Sequence, residues 1–259
     1  MAMYMRKLRL DGRIAVVTGG GGGIGLACGQ ALAEAGAHVV VAEIDAARGE
    51  EGVAAIAQAG GSAEFVTLDV RDTVSVDAAA EMLVARHGRI DILVCNAGIV
   101  VSEIAAEDLS DEIWLRHIDI NLNGVFRCCR AFGRTMLARR QGAIVTIGSM
   151  AGTVVIRPQL QAAYNASKAG VHHLTKSLAA EWAPRGVRVN AVAPTFIETP
   201  LTRFGMAKPA LYDAWLANTP MARVGQPDEI ASVVHFLASD AASLMTGSIV
   251  DADAGYTLW

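Results

Sequence analysis

Tyr164 and Lys168 stand four residues apart in Tyr-Asn-Ala-Ser-Lys, with Ser149 fifteen residues upstream. On a helix this spacing puts the two side chains one turn apart on the same face. A phenol that ionises near pH 10 is a poor base at neutral pH, but a fixed ammonium within a few ångströms favours the phenolate. Lowering the phenol by about three units takes roughly 4 kcal/mol of differential interaction, within reach of a buried pair beside a further positive charge. With a hydroxyl to steady developing charge on oxygen, such a group moves a proton to or from an alcohol. Taken alone, the spacing is equally that of a surface helix carrying an unrelated Tyr and Lys.

The rest of the chain supplies a scaffold. Short β-branched runs alternate with longer alanine-rich amphipathic segments, the pattern of repeated βαβ units and a parallel sheet. Seven strands are expected at Ile14–Thr18, His38–Glu43, Glu64–Leu68, Ile92–Cys95, Ala143–Gly148, Val187–Val192 and Ser248–Asp251. Helices are expected over 24–35, 46–59, 73–87, 110–138, 162–182 and 227–238, with Pro227 suited to a first turn. Val39-Val40-Val41-Ala42 and Ile92-Leu93-Val94 are continuously apolar, as strands covered by helices on both faces must be. The expectation is one α/β domain over 1–259, doubly wound, with a seven-stranded parallel sheet. The long irregular stretch at about 194–226, with four prolines, is expected to be a substrate lid.

Composition narrows the partners. Of 259 residues, 53% are hydrophobic and 19% charged, and the formal net charge is −4, which permits a large core and gives no electrostatic reason to expect nucleic acid or an anionic membrane. Cys28, Cys95, Cys128 and Cys129 lie in apolar runs without repeated Cys-x-x-Cys spacing, so they are expected to be reduced and buried, in a cytoplasmic protein. Neither a secretory apolar core nor a run long enough to span a bilayer is present.

Thr18-Gly19-Gly20-Gly21-Gly22-Gly23-Ile24-Gly25 follows the first expected strand and opens the first of these helices. Residues without a Cβ let the backbone turn sharply and approach a pyrophosphate, whose charge then meets free N–H groups and the positive end of the helix. Five consecutive glycines satisfy two registers, Gly20-x-Gly22-x-x-Gly25 and Thr18-Gly19-x-x-x-Gly23-x-Gly25, and do not choose between them. No Gly-Lys-Ser or Gly-Lys-Thr follows, which disfavours a P-loop NTPase. Glu43 closes the second strand, eighteen residues past Gly25, where a carboxylate accepts from the adenosine ribose hydroxyls and repels a 2′-phosphate. Ile44, Asp45, Ala46 and Ala47 supply no early Arg or Lys to neutralise such a phosphate, so NAD is expected over NADP. Asp69 and Val70 fit the edge of an adenine site.

Cys95-Asn96-Ala97-Gly98 turns the chain at the carboxyl edge of the sheet, where ligands bind in open α/β proteins. Asn121 sits inside the long 110–138 helix, where an Asn lowers helicity unless its side chain or a local bulge is used, and is therefore a functional candidate over Asn123. His172 and His173 are adjacent, point in different directions, and read as packing or surface residues rather than a metal pair.

In this order and at these separations, Thr18-Gly19-x-x-x-Gly23-x-Gly25, Asn96-Ala97-Gly98, Asn121, Ser149, Tyr164-x-x-x-Lys168 and Pro194 resemble the short-chain dehydrogenase/reductase superfamily over essentially the whole chain. The resemblance implies a Rossmann fold and fixes the glycine register on Gly19, Gly23 and Gly25. It implies that Tyr164 is the acid/base and that Ser149 bonds the substrate oxygen. Lys168 then binds the nicotinamide ribose and lowers the phenol, while Asn121 holds a water linking Lys168 to solvent. It adds Ile24, Asn96, Ala97, Gly98, Pro194, Ile197 and Thr199 to the cofactor contacts, requires no metal, and implies a homotetramer built on the helices near 110–138 and 162–182 and on the last strand and helix, with which the apolar tail ending in Trp259 agrees.

Two residues depart from the family pattern: Thr195 follows Pro194 where Gly is usual, and Ala254 interrupts a frequent Asp-Gly-Gly. Gly148–Thr153, Arg157-Pro158-Gln159 and the C-terminal Gly-Tyr-Thr-Leu-Trp are similar to bacterial polyol dehydrogenases of the galactitol-oxidising kind. The implied substrate is a sugar alcohol or related diol, in a pocket drawn from Thr153, Val154, Val155, Ile156, Gln159, Ile99, Phe196, Leu201 and Trp215, with Ile156, Gln159 and Phe196 as foremost contacts beside Ser149 and Tyr164. The alternatives are a 3-oxoacyl carrier-protein reductase, which Glu43 opposes, and a non-catalytic NAD-sensing protein, which the complete proton relay opposes.

Overall fold

The structure is a computed structural model that describes residues 2–258. Its strands β1 (Ile14–Thr18), β2 (His38–Glu43), β3 (Ser62–Thr67), β4 (Ile92–Cys95), β5 (Gly142–Ile147), β6 (Val187–Pro194) and β7 (Ile249–Ala252) form one seven-stranded sheet in the order β3-β2-β1-β4-β5-β6-β7. Every neighbouring pair is parallel. Helices α1 (Met3–Lys7), α2 (Gly23–Glu34), α3 (Ala46–Gln58), α4 (Thr73–His87), α5 (Asp111–His117), α6 (Gly124–Arg139), α7 (Ala162–Trp182), α8 (Arg203–Met206), α9 (Pro209–Ala217) and α10 (Pro227–Ala238) surround or extend it.

Alternate strand residues serve two cores, which is why the central strands are apolar throughout. Val16, Val40, Leu93 and Ile144 pack with Val76 and Leu83 of α4, Phe132 of α6 and Val171 of α7. Ala15, Val17, Val39, Val41 and Val94 pack with Leu32 of α2, Ile56 of α3 and Val234 of α10 on the opposite face. The doubly wound Rossmann architecture read from the sequence is the one observed. Strand order reverses between β1 and β4, so their connections leave in opposite directions and a crevice opens at their carboxyl ends.

Several elements differ from expectation: α1 has no counterpart among the expected helices, β6 runs on to Pro194, β5 and β7 shift by one residue, and three further differences have a physical reason. The helix expected over 110–138 is interrupted: Ile118–Asn123 is π-helical between α5 and α6, and Asn121 lies at its centre with its side chain turned inward. An inward Asn needs partners, and the wider turn lets it reach them. The stretch 194–226 is not irregular throughout, since α8 and α9 fold within it; Pro209 opens α9 at a position that needs no backbone N–H. β3 begins at Ser62 rather than Glu64, because the ladder to β2 starts at the His38–Ser62 pair.

Near the C-terminus the Asp253 carboxylate accepts from Gly255 N–H (2.9 Å), Thr257 N–H (2.7 Å) and the Thr257 hydroxyl (2.7 Å). This turn holds Ala254 at φ 54°, the left-handed region that glycine occupies at least cost. Trp259, invoked above for assembly, lies outside the described residues.

Candidate active site

The crevice begins at the glycine turn. Gly19 and Gly23 adopt φ of 64° and 54°, and a Cβ at Gly25 would lie 2.2 Å from the Gly19 carbonyl oxygen and 2.5 Å from Asn96 Nδ2. Left-handed backbone at Gly19 and Gly23 and the crowding at Gly25 agree with the second register, whereas a Cβ at Gly20 or Gly22 would come no nearer than 3.0 Å to its neighbours. The Thr18 hydroxyl accepts from the N–H groups of Asn96 (3.0 Å) and Ala97 (3.2 Å), and Asn96 Nδ2 donates to the carbonyls of Thr18 (3.1 Å) and Gly19 (3.0 Å). The turn after β1 is thereby locked to the turn after β4. Gly22, the cap of α2, provides no side chain to bond the first helical N–H groups, so they remain available to an anion.

Beyond this turn lies a cleft of about 690 Å³ lined by Gly19, Gly23, Ile24, Glu43, Asp69, Val70, Asn96, Ala97, Gly98 and Thr199 among others. Glu43 is buried, and its carboxylate accepts from Gly21 N–H (3.3 Å) and Ile44 N–H (3.0 Å). Asp69 is engaged by Arg71, whose guanidinium holds the carboxyl below its ordinary range against the opposing effect of burial. One cation was missed: Arg48 also lines this cleft, and its guanidinium passes 3.1 Å from the Cβ position of Gly22. The reading that no early basic residue follows Glu43 stopped one residue short, and the first turn of α3 brings Arg48 back to the glycine turn.

A smaller cleft of about 120 Å³ adjoins the first and shares Ile24, Asn96, Gly98, Ile99, Thr199 and Leu201 with it. It gathers Ser149, Tyr164 and Lys168 with Pro194, Thr195 and Ile197. Lys168 Nζ lies 5.7 Å from the centre of the Tyr164 ring, one turn away as the spacing predicted, and donates to the Ile147 carbonyl (2.8 Å). Burial lowers the Lys168 ammonium to about 8. Burial also raises the Tyr164 phenol, with the Ser149 hydroxyl pulling it back down. The protein's own groups therefore do not give the depressed phenol expected from the Tyr–Lys pair, because desolvation outweighs an ammonium placed over the ring and turned to a carbonyl.

Asn121 is fully buried: its Oδ1 accepts from Ile99 N–H (2.8 Å), and its Nδ2 donates to the Ile99 carbonyl (2.9 Å) and to Ser167 Oγ (3.0 Å). Ser167 in turn donates to the Tyr164 carbonyl (2.7 Å). Asn121 thus ties the loop after β4 to the helix that carries Tyr164. Gly98 lies between, with its Cβ position 3.2 Å from Asn121 Oδ1 and 3.8 Å from Lys168 Nζ.

A family profile described as Enoyl-(Acyl carrier protein) reductase matches residues 19–257. A galactitol 2-dehydrogenase from Rhizobium johnstonii is 57% identical over 256 residues, covering 99% of each chain. The chain belongs to the short-chain dehydrogenase/reductase family. Among solved structures, that of gox2181 matches with a TM-score of 0.98 and 63% identity, covering 99% of this chain and 100% of its own. A gluconate 5-dehydrogenase from Burkholderia cenocepacia, in complex with NADP and tartrate, matches with a TM-score of 0.93 and 36% identity over 98% of this chain and 99% of its own.

As a short-chain dehydrogenase/reductase the protein uses a nicotinamide dinucleotide, and its residues fit one: the glycine turn leaves no room for a Cβ at Gly25, and Thr195 Oγ1 is buried in the smaller cleft without a protein partner. An unpaired hydroxyl at that depth costs free energy unless a ligand engages it.

The expected substrate contacts are placed differently. Ile156, Phe196 and Trp215 pack with Met150, Leu211 and Tyr256 in a small core that the 194–226 stretch helps to build, with Tyr164 at its edge. Phe196 stacks on Trp215 at 4.0 Å, and Gln159 accepts from Trp215 Nε1 (2.9 Å). Ile156, Gln159 and Phe196 therefore stand behind the cleft that holds Tyr164, whereas Ile99 and Leu201 do line it. Short apolar residues near a lid read alike as lining or as core, and the indole N–H that claims Gln159 comes from far along the chain.

His172 is expected from the sequence to be a packing or surface residue. It is buried one turn beyond Lys168, and its Nε2 accepts, at the long distance of 3.4 Å, from the backbone N–H of Ser149. Cβ atoms at Gly148 and Gly152 would lie 2.4 Å and 2.7 Å from its ring, so both glycines make room for it. Burial, with Lys168 and Lys176 nearby, lowers this imidazole to about 4 and keeps it neutral. The spacing from Lys168 to His172, one helical turn on the same face, could have marked it.

Proposed function

We propose that the protein oxidises a secondary hydroxyl of a sugar alcohol or related diol, with NAD as preferred cofactor and Tyr164 as acid/base. The observation that carries this reading is the juncture of the two clefts, where Tyr164, Ser149 and Lys168 meet the end of the dinucleotide groove. The full-length relationship to a galactitol 2-dehydrogenase supports the substrate class. The cofactor, when bound, accepts the hydride at its nicotinamide ring.

Tyr164, as phenolate, takes the hydroxyl proton of the alcohol, and the Ser149 hydroxyl donates to the same oxygen as charge develops there. Lys168, charged below about pH 8, supplies positive potential beneath the ring. Asn121 and Ser167 fix the helix turn that carries Tyr164, and the core beneath the lid keeps water from its other side. Thr18, Gly19, Gly23, Ile24, Gly25, Asn96, Ala97 and Gly98 hold the dinucleotide phosphates and nicotinamide-side ribose, Asp69 and Val70 the adenine, and Pro194, Thr195, Ile197 and Thr199 the nicotinamide end. Glu43 favours NAD by setting a carboxylate beside the adenosine ribose, where it accepts from the hydroxyls and repels a 2′-phosphate; Arg48 acts against that preference. Residues 194–226 serve as the lid of a single catalytic domain.

Purified protein offered galactitol, threitol, simple diols and secondary alcohols with NAD or NADP, followed by NADH or NADPH absorbance, tests the reading. Turnover of polyols with NAD is expected. Preference for a 3-oxoacyl thioester with NADPH would favour the reductase alternative, and dinucleotide binding with no turnover would favour a sensor. Tyr164→Phe is expected to lose about a thousandfold in kcat while binding NADH as before; a variant that kept the parent rate would remove Tyr164 from the chemistry.

The exposed Trp114, Leu115 and Phe126 on α5 and α6 support a homotetramer, which light scattering would test. Four buried, free cysteines support a reducing compartment such as the cytoplasm, and no helix among the described residues is long and apolar enough to cross a membrane.

A further inference from the structure

At the amino ends of β2 and β3, on the side of the sheet away from the dinucleotide crevice, three side chains converge. In this parallel ladder His38 pairs with Ser62 and Val40 with Glu64, so His38 and Glu64 emerge on the same face, the one that α4 covers. α4 ends there at His87, stopped by Gly88 in the left-handed conformation with its N–H bonded to the Val84 carbonyl. The ligating atoms of His38, Glu64 and His87 all lie within 4.8 Å of one another, and all three side chains are half-buried.

The arrangement has features that an ordinary ion pair leaves unexplained. His38 Nε2 is buried, has no hydrogen-bond partner, and stands 3.4 Å from Glu64 Oε1. Its other nitrogen, Nδ1, is 2.7 Å from Ser62 Oγ. If Nδ1–H donates to that hydroxyl, the lone pair of Nε2 points into the cluster, the tautomer a metal-bound imidazole adopts. Glu64 is similarly divided: Oε2 is held by Arg86, and Oε1 faces both imidazoles. Ligands at about 2.1 Å in a tetrahedron stand about 3.4 Å apart, which the His38–Glu64 pair already matches. The shorter His87–Glu64 hydrogen bond has to open, its proton leaving to solvent as the metal takes its place.

We propose that His38, Glu64 and His87 form a binding site for a divalent transition-metal ion of the zinc type, with one coordination position left for water. Two imidazoles and one carboxylate suit zinc, cobalt or nickel rather than magnesium or calcium. All three ligands sit on regular elements, two strands and the end of a helix, so the ion fastens α4 to the edge of the sheet. Glu43 closes the same strand five residues on, about 16 Å from His38, so occupancy stabilises the fold without taking part in turnover. This inference does not depend on the substrate assigned above.

Untagged protein stripped with chelator and titrated with zinc chloride in a calorimeter tests it, with magnesium chloride as control. One zinc per chain is expected, no magnesium, and a rise of about 5 °C in melting temperature at a zinc concentration a hundredfold above Kd. His38→Gln with His87→Gln is expected to weaken zinc binding at least about tenfold and abolish the thermal shift, with alcohol turnover unchanged in the metal-free protein. Should that double variant melt with the buffer alone, Glu64→Gln carries the same comparison. Failure of the parent to bind zinc, or equal stoichiometry and affinity in parent and variant, would overturn the proposal.

Discussion

Around the glycine turn the predicted residues are fixed largely through the backbone: Asn96 bonds two carbonyls, Thr18 accepts two amides, and Gly25 is required because the Gly19 carbonyl occupies the place of a Cβ. The alcohol side is fixed by side chains from distant segments: Phe196 against Trp215, Trp215 to Gln159, and the Arg157 N–H to the Tyr256 hydroxyl at 3.1 Å. The first kind of construction depends on a few residue types at fixed spacing. The second depends on which large side chains happen to meet, and admits many solutions. One end of the crevice is thus built for a ligand common to many enzymes, the other for whatever alcohol this protein meets.

The largest effect should come from the backbone side. Gly25→Ala sets a Cβ 2.2 Å from a carbonyl that cannot swing away, so the turn itself must shift. Dinucleotide affinity is expected to fall about a hundredfold, some 2.7 kcal/mol, with far-UV circular dichroism unchanged. Gly20→Ala, at a glycine whose Cβ would come no nearer than 3.0 Å to its neighbours, would break the comparison if it cost as much.

Next comes the proposed adenosine end, where Glu43 and Arg48 line the same cleft with opposite charge. Glu43→Gln keeps the shape and removes the charge, and should raise the KM for NAD about tenfold while lowering that for NADP. Arg48→Ala should weaken NADP and leave NAD nearly unchanged. A parent enzyme that preferred NADP would show that the guanidinium outweighs the buried carboxylate.

This pair marks how far the sequence was legible. The βαβ alternation yielded all seven strands and their class because continuous apolar runs have few other uses, and the glycine spacing located the crevice. Asn121 was found because an Asn inside a helix demanded a reason, which the π-helical turn supplies. Ser167 escaped because it acts by returning through a helix turn to a backbone carbonyl, Arg48 because the reading onward from Glu43 ends at Ala47, and His172 because its one-turn spacing from Lys168 does not by itself reveal the Ser149 N–H it meets. The place of Ile156 and Phe196 behind the smaller cleft was not legible because an apolar side chain in such a segment has the same composition whether it lines a pocket or supports it, and that of Gln159 because the Trp215 indole, far along the chain, claims its side-chain carbonyl.

His172 tests the boundary between the halves, since it touches the backbone of Ser149 from behind. His172→Leu removes the acceptor and should lower kcat about fivefold with the KM for NAD unmoved; His172→Gln, which keeps an acceptor, should restore most of it. The pH dependence has a defined sign. The imidazole titrates near 4 in the folded protein and near 6.5 when unfolded, so between those values the unfolded chain binds more protons. This group's contribution is therefore complete above about pH 6.5 and is lost as pH falls through 4. Thermal melts across that window should lose part of their slope in His172→Leu; an unchanged slope would mean that the ring is not held neutral.

The smallest effect belongs to the C-terminal turn, which leads into Tyr256, packed against Phe196 and Trp215. Ala254 adopts φ 54°, where an L-residue costs about 1 kcal/mol relative to glycine. Glycine gives some of that back, because it makes the unfolded chain more flexible. Ala254→Gly should therefore stabilise by only about 0.5 kcal/mol, or roughly 1 °C. Its neighbour gives the opposite sign: Gly255 has φ 85°, and a Cβ there would lie 3.0 Å from Pro220 Cγ, so Gly255→Ala adds strain and crowds Pro220. If the alcohol side is set by side-chain packing, Gly255→Ala should raise the KM for the alcohol as it lowers stability, while Ala254→Gly should change stability alone. Melting curves and alcohol KM for the two variants separate these outcomes, and an alcohol KM that ignored both would detach the C-terminal turn from the substrate pocket.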